Sequence, residues 1–161
     1  MLIKTKFYSM LLDDVTGSLL SFHNGKKEFI HKTSPPSSIF TLRIRDDKGN
    51  PADITCFDSR KTSVRSEVTD QSRDIIVVIS YENLAGLPIS IIIHILCKKS
   101  EPFTFWDLSI QNLSDYFVDC IDFPNVIVPN DLVATGGTSR ILWSGMEGAL
   151  IDDMELRENS W

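Results

Sequence analysis

Cysteine is scarce in this 161-residue chain, and no two cysteines form a C-x-x-C pair. Cys56, Cys97 and Cys120 are widely spaced and odd in number, which does not read as a disulfide framework or a zinc module. Each lies in or beside an apolar run, so a buried free thiol is the expected state of each. A bridge within one pair stays open at this point.

Positive charge is also short, with 16 Lys and Arg against 22 Asp and Glu, a net charge of −6. The basic residues are scattered as Lys26-Lys27, Arg43/Arg45, Arg60-Lys61 and Lys98-Lys99. A nucleic-acid surface needs many cations to neutralise phosphates, so nucleic acid is set aside as a partner. No apolar run is long enough to cross a bilayer as a helix. The most apolar stretch, Leu87 to Cys97, is interrupted by Pro88, Ser90 and His94, and no membrane partner is expected. The opening MLIKTKFYSMLLDD has neither an unbroken apolar segment nor a small-residue cleavage site, so it does not read as a signal peptide and the cytoplasm is favoured. Without an export signal, the glycosylation-like triplet Asn112-Leu113-Ser114 reads as turn chemistry.

Helical periodicity is missing too. Only Met154 to Asn159 offers a place for a short helix to start. What the chain has instead is period two. FTLRIRD sets Leu42 and Ile44 against Arg43 and Arg45, a half-buried strand with its basic side in water. DIIVVISYE and LPISIIIHILCKK are β-branched on both alternating sets, which suggests strands covered on both faces or set in a sandwich core. FWDLSIQN alternates again, with Trp106, Leu108 and Ile110 on the inward side. The run from Trp106 to Pro129 therefore reads as a hairpin around the polar break Asn112 to Asp115.

Turn residues separate these runs at Asp13 to Gly17, Asn24-Gly25, Asp46 to Pro51, Asn83 to Gly86, Asn112 to Asp115 and Gly136-Gly137. Asn24-Gly25, inside SLLSFHNGKKEFIHK, suits a two-residue type I′ hairpin turn. Short strands with frequent turns predict an all-β protein, an antiparallel β-sandwich with little or no helix, in a single domain over 1–161.

Candidate chemistry is thin. The doublets Asp13-Asp14, Asp46-Asp47 and Asp152-Asp153 offer paired carboxylates, but two of them precede a glycine closely and are expected to shape turns. His23, His31 and His94 show no ligand spacing, and His94, within the most apolar strand, is expected to be a hydrogen-bonded core residue. Nucleophile-elbow, dinucleotide and P-loop motifs are missing, and Gly136-Gly137-Thr138-Ser139 lacks a following helix. No cofactor and no metal are expected. Trp106 is assigned to the core. Trp143, in RILWSGMEGALIDD, stands with Arg140 and Glu147 where an aromatic ring, a carboxylate and flexible backbone fall together, the candidate carbohydrate-binding residues of the chain. Burial is the competing fate of Trp143.

The segments LDDVTGSLLSFHNGKKEFI, FTLRIRD, WDLSIQNLSDYFVDCIDFP and ILWSGMEGALI together resemble the N-terminal β-supersandwich region of glycoside-hydrolase-related proteins, of the galactose-mutarotase-like superfamily. The resemblance covers most of the chain and implies an accessory domain ahead of a (β/α)₈ catalytic barrel. It implies a non-catalytic role for this chain, which is then an N-terminal fragment of a larger sugar-active protein, with carbohydrate and the downstream domain as partners. A chain ending on Trp161 reads as cut, in line with that expectation. A mutarotase would need a histidine and a carboxylate converging on the sugar, and no histidine here matches that role. The alternative is a free-standing carbohydrate-binding module using Trp143.

Overall fold

The structure is a computed structural model describing residues 1–30, 32, 35–69 and 73–128, and the backbone of 140–143 and 149–152. Its strands are β1 (Leu2–Lys4), β2 (Ser9–Leu12), β3 (Leu19–His23), β4 (Thr41–Arg45), β5 (Pro51–Thr55), β6 (Lys61–Val68), β7 (Ile75–Glu82), β8 (Ile89–Cys97), β9 (Thr104–Asn112), β10 (Phe117–Asp122), β11 (Arg140–Trp143) and β12 (Ala149–Asp152). Two single-turn 3-10 segments, Cys56–Asp58 and Leu84–Gly86, are the only helical pieces among the described residues. The chain divides into two units, Met1–Ile127 and Val128–Trp161.

Three antiparallel sheets build the first unit, in the orders β1-β2-β3, β10-β4-β5 and β6-β7-β8-β9. In the second unit β11 and β12 form a two-stranded antiparallel ribbon. The expected all-β, sandwich-like architecture is what the structure shows. One shared core joins the three sheets: Met10 and Leu12 of β2, Leu42 and Ile44 of β4 and Ile54 of β5 cluster with Val77, Ile79 and Tyr81 of β7 and the buried side of β8. Phe40 meets the Tyr81 ring edge-on, with centroids 5.1 Å apart.

Local chemistry shapes the turns as expected. The Asp13 carboxylate accepts from the amides of Val15 and Thr16, both at 2.7 Å, and Asp46 accepts from those of Lys48 and Asn50 at 2.9 and 2.8 Å. On β4, Leu42 and Ile44 are buried, while Arg43 and Arg45 reach outward to Asp53 at 2.8 Å and Asp119 at 2.7 Å.

Three expectations change. The first concerns β8, which is buried on one face only, so that of its two expected settings the sandwich core holds and cover on both faces does not. Ile89, Ile91, Ile93, Ile95 and Cys97 are fully enclosed, whereas Ile92 and His94 are exposed. Each enclosed isoleucine stabilises the fold by about 1.5–3 kcal/mol, enough to decide which face turns inward. A β-branched run on the second face reflects strand propensity and does not require a covering layer.

The second correction concerns Trp106 to Asp122, which is not a hairpin. β9 pairs with β8, while β10 pairs with β4 in a different sheet. The polar break carries the chain from one sheet to the other. Its side chains do bond locally, as expected. Asn112 Nδ2 donates to the Tyr116 carbonyl at 2.7 Å, and the Ser114 amide donates to Asn112 Oδ1 at 3.0 Å.

The third concerns Asn24-Gly25: the His23–Glu28 bridge bounds a four-residue loop in which the Asn24 amide donates to the Lys27 carbonyl at 3.2 Å, and Gly25 alone of its residues has a positive φ, so the expected type I′ turn is not formed. Asn24 Oδ1 accepts from the amides of Lys26 and Lys27 at 3.1 and 2.9 Å, which holds the loop in the wider form.

Candidate functional site

Arg140 and Trp143 occupy the two ends of β11. Their backbones register with Asp152 and Ala149 of β12. Glu147, the third candidate carbohydrate-binding residue, lies outside the described residues, as do His31, Asp153, Gly136 to Ser139 and Met154 to Asn159.

His94 is a correction. Its side chain is 48% exposed on the outer face of the β6–β9 sheet, with Nδ1 3.9 Å from the Asp107 carboxylate. The alternation that buries Ile93 and Ile95 turns His94 to solvent. His23 uses Nδ1 to accept from the Gly25 amide at 3.1 Å. Among the described residues no three His, Cys, Asp or Glu side chains gather into a metal-sized cluster.

All three cysteines are free thiols. Cys56 and Cys97 are buried, as expected, while Cys120 is exposed on β10. Burial pushes the Cys97 thiol up, against a hydrogen bond with Tyr8 that pulls the other way. A thiol held protonated in an apolar setting is a poor nucleophile.

One cavity of about 260 Å³ opens beside β2 and β3, lined by apolar Leu11, Leu19 and Ile30 and by polar Ser21 and Lys32. The Ser21 hydroxyl is already committed to Glu28, whose carboxylate also accepts from the Phe22 amide at 2.8 Å and the Ile30 amide at 3.1 Å. Burial pushes the Glu28 carboxyl up, but these bonds bring it below its ordinary range. It is thus an ionised anchor for the His23–Glu28 loop and poorly suited to act as a general base.

What sequence reasoning missed is the uneven closure of the sandwich. The inward side of β8 is fully enclosed, yet Trp106, Leu108 and Ile110 on the inward side of neighbouring β9 are only half-buried. Among the described residues β9 and β10 are each the end strand of their sheet. Exposed Leu113, Phe117, Val118, Val126 and Ile127 lie on β10 and its flanks. Phe117 carries the Arg45 guanidinium over its ring, with 5.1 Å to the ring centre. The signal in the sequence was weak, since β10 reads as apolar without stating what it faces.

No family model, no curated protein and no solved structure matches the chain. Among the described residues no helix is long and apolar enough to cross a membrane.

Proposed function

We propose that this chain is a non-catalytic β-sandwich domain of a carbohydrate-active, glycoside-hydrolase-like protein, and that it supports or rims a downstream catalytic barrel. The observation that carries this reading is the open margin at β9 and β10. A domain that seals one side of its core and leaves the other half-exposed is built to be completed by a neighbour. The resemblance of WDLSIQNLSDYFVDCIDFP and its companion segments to supersandwich domains names the neighbour as a barrel carrying paired carboxylates.

The test has two parts. The coding sequence beyond Trp161 is expected to specify a barrel with Asp or Glu at its strand ends, and the longer protein is expected to hydrolyse a glycoside. The 161-residue chain alone is expected to give no turnover on the same glycoside panel. Hydrolysis by the short chain would defeat the reading. A sugar-induced fluorescence change lost in Trp143→Ala would replace it with a free-standing binding module.

A further inference from the structure

The outer face of the β6–β9 sheet has a pattern that strand register makes explicit. Its central cross-strand row runs Arg65, Val78, His94, Asp107. The next row runs Glu67, Ile76, Leu96, Phe105. On the other side lies Ser63, Ser80, Ile92, Ser109. Basic Arg65 and acidic Asp107 thus stand at opposite edges of one row, with buried Val78 and exposed His94 between them and half-buried Ile76 and Leu96 in the next row. Phe105 is 50% exposed and Ile92 40% exposed, and Lys98 Nζ sits 5.1 Å from the Phe105 ring centre.

We propose that this face docks a second copy of the chain, sheet against sheet, about a two-fold axis parallel to the strands and midway between β7 and β8. That operation exchanges β6 with β9 and β7 with β8 while keeping each row in place. Arg65 then faces Asp107 of the second copy, and Asp107 faces its Arg65. Ile76 faces Leu96 in the adjacent row, twice. Glu67 faces Phe105, beside Lys98, whose Nζ is paired with Glu101 at 2.9 Å. Ser63 faces Ser109 and Ser80 faces Ile92. The charged pair that meets across the two copies, Arg65 with Asp107, is of opposite sign and occurs twice, and this is the charge complementarity that selects a second copy as the occupant.

Size sets the strength of this contact. Four strands at about 4.8 Å spacing and eight residues at about 3.3 Å rise span roughly 500 Å² per copy. Roughly 1,000 Å² for the pair lies at the small end of specific interfaces, so the dimer is weak and depends on concentration.

Sedimentation equilibrium of the 161-residue chain from about 1 µM to 500 µM tests this. The wild-type chain is expected to show a reversible monomer–dimer equilibrium. Arg65→Asp and Asp107→Arg are each expected to raise the dimer dissociation constant at least about tenfold. The double reversal is expected to restore it, because each reversed side chain again meets an opposite charge on the other copy. Within one chain the two residues are three strands apart, so the rescue has no intramolecular route. Far-UV circular dichroism confirms that each variant is folded. A chain that stays monomeric throughout, or a dimer indifferent to the single reversals, overturns the proposal. Protection of this face only when a downstream domain is present overturns it equally.

Discussion

The hydroxyl of Tyr81 donates to the carbonyl of Thr16 at 2.9 Å, and it does so across Gly17, where there is no room for a side chain. A Cβ at Gly17 would lie 2.3 Å from the Tyr81 oxygen and 2.7 Å from Cγ2 of Ile79. With φ at +70°, Gly17 also holds a conformation that other residues reach only at a cost. One glycine thereby lets the β2–β3 turn rest against the middle of β7.

Tyr81→Phe is expected to lower stability by about 1 kcal/mol through loss of that bond. Gly17→Ala is expected to lower it by at least about 2 kcal/mol, from the left-handed backbone and from displacement of the ring. In the double variant part of the second cost should vanish, since the hydroxyl in the way is gone. A double-mutant cycle by urea denaturation reads this coupling, and strict additivity would contradict the geometry.

Neighbouring positions on β8 should behave in opposite ways. Ile93→Ala leaves a hole in the enclosed core and is expected to lower stability by about 2–5 kcal/mol. Ile92→Ala, on the exposed face, is expected to lower it by less than about 1 kcal/mol when measured at low protein concentration. Comparable effects at both positions would mean that β8 is covered on both sides.

The thiols should separate by reactivity. With native protein at pH 8, a chromogenic disulfide reagent is expected to titrate one cysteine rapidly, Cys120, and all three after denaturation. Cys120→Ser should remove the rapid phase. A rapid phase that survives that substitution would place Cys56 or Cys97 at the surface.

Alkaline pH should lower the stability of the protein. Burial raises Cys97, Tyr8 and Tyr81 above their ordinary values. An acid whose folded value is raised holds its proton longer in the native state than in the unfolded one. Stability is therefore complete below the unfolded values and falls as pH climbs above about 9. On the acid side Asp13 is lowered, first by the Thr16 amide, so its contribution is present above about pH 4 and fades as pH falls further. Thermal denaturation between pH 7 and 11 checks the first limb, and Cys97→Ala should move its onset upward.

The polar break at the end of β9 offers a last test. Asn112→Ala removes three side-chain bonds, to the Tyr116 carbonyl and from the Ser114 amide and hydroxyl, that bend the chain between sheets and is expected to lower stability by about 1–2 kcal/mol. Asn112→Asp keeps the acceptor for the Ser114 amide but loses the donor to Tyr116, so it should fall between wild type and alanine. If both variants match wild type in urea melts, the bend is held by β8 and β4 alone.

Local features were legible in the sequence because their causes are local. Period-two alternation placed β4 and β9 with the correct residues inward, and Asp13, Asp46, Asn112 and Ser114 bond the backbone within a few residues of themselves. The side of β8 that meets water was not legible, because isoleucine on both faces satisfies strand propensity equally. Nor was the course of Trp106 to Asp122. An Asx-type turn bends the chain in much the same way whether the strands beyond it pair together or part.

Sequence alone thus determined that this chain is a set of short antiparallel strands punctuated by Asp, Asn and Gly turns. Tertiary structure decided which strands became partners, by matching the apolar side of β8 to β2, β4 and β7 while β9 and β10 went to different sheets. Apolar burial carries no directional label in the chain, and only the assembled core gives it a direction. That assembly turned His94 from an expected core residue into part of a surface row with Arg65 and Asp107.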